Sequence, residues 1–97
     1  MELEHLYIVA YDIRDDKRLR RTFRLMKGYG EWLQFSIFQC RLSARRHAEL
    51  LTLLDGIIVN GQDHIVMLDL GPAESVKPRI VSLGKPFQAV AREPTIV

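Results

Sequence analysis

The sequence predicts a small α+β domain, and three observations carry that prediction. Apolar runs rich in β-branched and aromatic residues alternate with two stretches of helical periodicity, in the order strand, helix, strand, strand, helix, strand. Glycine, proline and asparagine punctuate the joints between them. A length of 97 residues suffices for a single core. Together these describe the ferredoxin-like βαββαβ arrangement, an antiparallel sheet with two helices on one face.

The first strand is expected over residues 5–12, His-Leu-Tyr-Ile-Val-Ala-Tyr-Asp, a nearly continuous apolar run ending on Asp12. Asp15 and Asp16 then stand where an acid caps a helix and favours its positive end, and Leu19, Phe23 and Met26 form one helical stripe that Gly28 and Gly30 terminate. Between residues 31 and 42 the alternation runs Leu33, Phe35, Ile37 and then changes phase to Phe38, Cys40, Leu42. A slip of one residue turns side chains to the other face, so two short strands joined by a bulge or tight reversal at residues 36–38 are expected.

Ser43 is a good N-cap for a second helix in which His47, Leu50, Leu51, Leu54 and Ile57 recur at helical spacing, ending near Ile58 before Asn60-Gly61. Residues 63–70 alternate as a fourth strand, and Gly71-Pro72 turns the chain. A short fifth strand is expected at residues 79–83, which places the domain at residues 1–84 and a tail at 85–97. Such a strand can add to the sheet edge of a second protomer and so fix a homodimer.

Composition removes several function classes. With 47% hydrophobic and 27% charged residues the chain lies in the range of folded globular domains rather than disordered ones. No segment has the length of a membrane span or the layout of a signal peptide, so a cytoplasmic protein without a membrane partner is expected. Cys40 is the sole cysteine and reads as a small buried hydrophobe. His5, His47 and His64 are scattered, without metal-ligand spacing, and no Gly-rich phosphate loop or Ser/His/Asp order stands out. The net charge is only +2, yet Arg14, Lys17, Arg18, Arg20, Arg21, Arg24 and Lys27 supply seven of the fourteen basic residues within one segment. That concentration suits a helix that meets nucleic-acid phosphates, and equally suits a solvated helix face.

Asp12 is the sharpest local feature, because it ends a strand immediately before this basic helix. Alone, such an acid is more often a cap or turn residue than a catalyst. A single carboxylate also holds Mg²⁺ poorly, since that ion takes one or two carboxylates together with waters and phosphates. Two-fold symmetry can supply the second carboxylate if Asp12 of each protomer faces the other across the axis, and the ion then activates water for attack on a phosphodiester.

The chain resembles, over nearly its whole length, the CRISPR-associated protein two family. The residues that carry the resemblance are Tyr11-Asp12-Ile13, Asp15-Asp16-Lys17-Arg18-Leu19-Arg20, Tyr29-Gly30, Gln34-Phe35-Ser36-Ile37-Phe38 and Cys40-Arg41-Leu42. The resemblance implies a ferredoxin-like homodimer in which Asp12 approaches its symmetry mate and binds Mg²⁺ for endonucleolytic hydrolysis of RNA or DNA. It also implies a part in spacer acquisition beside the CRISPR integrase, where the dimer can serve as a non-catalytic DNA-binding adaptor. Two positions depart from the family pattern: Trp32 stands where an Arg is frequent, and Gln39 where a Glu is frequent.

Overall fold

The computed structural model of the protein describes residues 3–84. Six elements follow one another as β1 (Glu4–Asp12), α1 (Asp16–Lys27), β2 (Gly30–Gln34), β3 (Ile37–Ser43), α2 (Ala44–Asp55) and β4 (His64–Pro72). The strands form one antiparallel sheet in the order β2-β3-β1-β4, as expected for the split βαβ arrangement.

Each helix starts where a short polar side chain offers an acceptor to an orphan amide. Asp15, in extended conformation, accepts from the Arg18 amide at 3.0 Å and opens α1. Ser43 does the same for the Arg46 amide at 3.2 Å and opens α2. α2 ends at Asp55 with Gly56 as its C-cap, short of the expected Ile58. The apolar spacing runs on through Ile57 and Ile58, but their amides return to the Leu54 carbonyl in a closing turn. Glycine, which is costly inside a helix, sets the end in preference to periodicity.

The phase change between β2 and β3 is a tight turn at Phe35 and Ser36, one residue earlier than expected, with a register irregularity between Trp32 and Gln34. Phe35 takes a positive φ of 42°, a region that bulky residues rarely adopt, and the Trp32 indole N–H donates to its carbonyl at 2.7 Å. Gly30 is required for a different reason: a Cβ there would lie 2.5 Å from both the Cys40 Sγ and the Gln39 carbonyl oxygen.

Alternation divides the sheet into two unlike faces. Tyr7, Val9 and Tyr11 of β1 point with Phe38, Cys40 and Leu42 of β3 toward Met26 of α1 and Leu50 and Leu54 of α2, and this is the core. The opposite face carries Ile8, Ala10 and Asp12 beside Leu68, Val66 and His64 of β4. Among the described residues no helix covers it, and Val66 and Leu68 are 42% and 53% exposed. Residues 79–83 form no strand within the chain. The four-stranded sheet has its two edges at β2 and β4, and a further strand needs an edge to pair with. Ile80, Val81 and Leu83 are exposed in this segment. The tail expected at 85–97 lies outside the described residues.

Candidate functional site

The connectivity gathers at one end of the sheet the end of β1, the start of α1, the β2–β3 turn and the start of β4. Asp12 is exposed there, on the face away from the helices, while its neighbours Tyr11 and Ile13 are buried toward the core. Burial pushes the Tyr11 hydroxyl well above its ordinary value, so it stays protonated and serves as packing. The Tyr11 amide donates to the Ser36 carbonyl at 3.1 Å, which ties the β2–β3 turn to the residue before Asp12.

Behind Asp12 stands Asp63. Its side chain is enclosed and accepts from the Arg18 Nε at 2.8 Å and Nη2 at 3.1 Å, from the Arg14 amide at 3.0 Å and from the Val59 amide at 2.8 Å. The Arg18 guanidinium, assisted by those amides, holds the Asp63 carboxyl far below the ordinary carboxylate range. The clamp therefore joins the residue two positions after Asp12 to the residue just before β4. Asp15 is likewise held below its ordinary value, chiefly by the Arg18 amide it caps, and acts as a cap.

The basic residues separate into two groups. Lys17, Arg20, Arg21, Arg24 and Lys27 are exposed and follow one stripe of α1, whose inner side presents Thr22 and Met26 to the core. Arg14 is exposed in the loop before the helix. Arg18 differs: it is half-buried, paired with Asp63, and also donates to the Gln62 side chain at 3.3 Å. Tyr7 and Tyr11 are buried, so neither offers a stacking face. Cys40 is buried in the core, and desolvation pushes its thiol up to about 11, in keeping with a small hydrophobe.

Two residues escaped the sequence reading. Asp63 looks like any strand-initiating acid until the fold sets it against Arg18, 45 positions away. His64 looks isolated, yet in the antiparallel register it is the direct partner of Asp12. Only strand pairing, which a single sequence does not display, brings these two together. Among the described residues no set of three or more acids, histidines or cysteines is grouped to hold a metal within one chain.

Comparison with known proteins agrees with this geometry. The family model "CRISPR associated protein Cas2" matches residues 5–77. The CRISPR-associated endoribonuclease Cas2 of Geobacter sulfurreducens is 50% identical over 95 residues, covering 98% of this chain and 100% of that protein. A relative of the same description from Rhodospirillum rubrum is 50% identical over 94 residues, covering 97% and 92%. Among solved structures, a hypothetical protein from Thermus thermophilus superposes with a TM-score of 0.74 at 30% identity, covering 88% of this chain and 99% of that one. Streptococcus pyogenes Cas2 superposes with a TM-score of 0.71 at 28% identity, covering 81% and 99%.

Proposed function

The chain belongs to the CRISPR-associated protein Cas2 family, and from that premise we propose that it is a Mg²⁺-dependent endonuclease that works as a homodimer on RNA or DNA. The observation that carries the reading is Asp12, exposed at the end of β1 on the uncovered sheet face. Relatives named endoribonucleases at 50% identity support nucleolytic chemistry on this scaffold.

A second copy is part of the proposal for two reasons. Among the described residues one chain offers too few ligands at Asp12, and the sheet face away from the helices presents apolar side chains that a partner can bury. If the two-fold axis of such a pairing passes near the end of β1, Asp12 lies opposite its symmetry mate. The exposed apolar segment around Ile80 and Val81 supports an additional contact, as a strand laid on the partner's sheet edge. The donor set suits Mg²⁺, because an exposed carboxylate leaves room for the waters that this ion retains. When bound, the ion supplies Lewis-acid polarisation of the phosphoryl group and a more acidic water. Asp12 would hold it, the Asp63 clamp keeps the loop after Asp12 in place, and the cationic stripe of α1 with Arg14 would attract the polyanion.

The test is cleavage of single-stranded RNA and of duplex DNA by the wild type and by Asp12→Asn, each with Mg²⁺ and with chelator. A loss of at least about a hundredfold in both Asp12→Asn and the chelated wild type is expected. Equal cleavage by the wild type and Asp12→Asn would sink the catalytic reading.

The alternative is a non-catalytic DNA-binding adaptor of the CRISPR integrase in spacer acquisition, favoured by the five-cation stripe on the exposed side of α1. On that reading Asp12→Asn retains DNA binding and integrase association in full, and spacer acquisition continues.

A further inference from the structure

Asp12 has one neighbour that no part of the nuclease reading uses. His64 opens β4, pairs with Asp12 in the antiparallel register and, like it, is exposed. Directly opposed residues of an antiparallel pair point to the same face with Cβ atoms about 5 Å apart. A carboxylate and an imidazole on such a pair can reach a shared cation at the usual ligand distances of about 2.1 Å.

The placement of both residues is fixed from behind. Asp63, immediately before His64, takes the Arg14 amide at 3.0 Å and the Arg18 guanidinium at 2.8 Å. One enclosed carboxylate therefore pins the loop after Asp12 and the residue before His64 at once, and strand alternation turns His64 to the outer face. Neither the Asp12 nor the His64 side chain is engaged in a hydrogen bond or ion pair within the described residues. The other two histidines are occupied at the opposite end of the sheet: His5 bonds Asp69 at 2.8 Å, and His47 stacks on Tyr7 with ring centroids 4.4 Å apart.

We infer that His64 is a second metal ligand beside Asp12, and that it gives the site a preference for first-row transition divalent cations over Mg²⁺. The inference rests on the proposed metal role of Asp12 and concerns what this chain adds to it. An all-oxygen site suits Mg²⁺, whereas imidazole nitrogen suits the transition ions, whose affinity for a nitrogen donor rises along the first-row series. In the dimer the set becomes two carboxylates and two imidazoles.

The experiment uses the full-length protein, with Mn²⁺ and Mg²⁺ as probes. Affinities come from calorimetry, and imidazole ligation is read directly as nitrogen modulation in the electron spin echo of bound Mn²⁺. The variants are His64→Ala, His64→Gln and Asp12→Asn, with circular dichroism to confirm that each is folded. The wild type is expected to show nitrogen modulation and tighter binding of Mn²⁺ than of Mg²⁺. Both His64 variants should lose the modulation and at least about tenfold in Mn²⁺ affinity, while Mg²⁺ affinity changes by less than about threefold. Modulation that persists in both His64 variants, or equal losses for the two ions, overturns the inference and leaves the Asp12 site standing. Metal binding unchanged in Asp12→Asn overturns the Asp12 site itself, and the inference with it.

Discussion

Asp63 carries more of the local structure than its place at the foot of a strand suggests. Its carboxylate answers Arg18 and two backbone amides at once, and an enclosed ion pair that loses one partner leaves a charge and several donors unsatisfied. Asp63→Ala is therefore expected to lower the thermal midpoint by about 10 °C, as read by circular dichroism. The same carboxylate makes stability acid-sensitive. Its folded value is depressed, so its contribution is complete above the unfolded Asp value of about 3.9 and is lost as the pH falls through the folded value. Thermal midpoints measured between about pH 5 and pH 2 should decline for the wild type, and less steeply for Asp63→Asn, in which that titration is gone.

At the scale of the element, α1 holds its cations in two settings, exposed and ion-paired, that a salt titration can separate. Arg20 and Arg24 are exposed on the outer stripe, so their replacement by Ala should weaken nucleic-acid binding and lower the logarithmic salt slope by about one unit each. Arg18 is bound to Asp63, so Arg18→Ala should lower the thermal midpoint while the salt slope stays near that of the wild type. Unchanged slopes for both outer variants would return the stripe to the role of a solvated helix face. Such a division could not be read from the sequence, where all seven cations look alike. It appears only once Arg18 is seen half-buried and facing a carboxylate from the other half of the chain.

At the scale of the whole molecule, the proposed dimer rests on the sheet face that no described helix covers. Val66 and Leu68 stand in its middle, close to the Asp12 end of β1 through the pairs Ala10–Val66 and Ile8–Leu68. Leu68→Lys places a charge where pairing of the two faces would bury it, and should yield a folded monomer by sedimentation velocity. On the symmetric-site reading that monomer also loses metal-dependent cleavage, although Asp12 is intact. A variant that stayed dimeric and active would remove this face from the proposed interface.

The fold was legible in the sequence almost throughout, because strand alternation, helical periodicity, Asp15, Ser43 and the glycine breaks are local signals that act through local backbone chemistry. Asp12 was legible for the same reason, as the acid at the junction of β1 and α1. The end of α2 was misplaced by periodicity because the apolar spacing runs on through Ile57 and Ile58 while Gly56 has already closed the helix. What only the tertiary structure decided are the relations across long sequence separations: Asp63 against Arg18, and His64 beside Asp12. Composition and spacing fix which side of a strand a residue occupies. Its neighbour on the adjacent strand is set by register, and register is a property of the folded sheet.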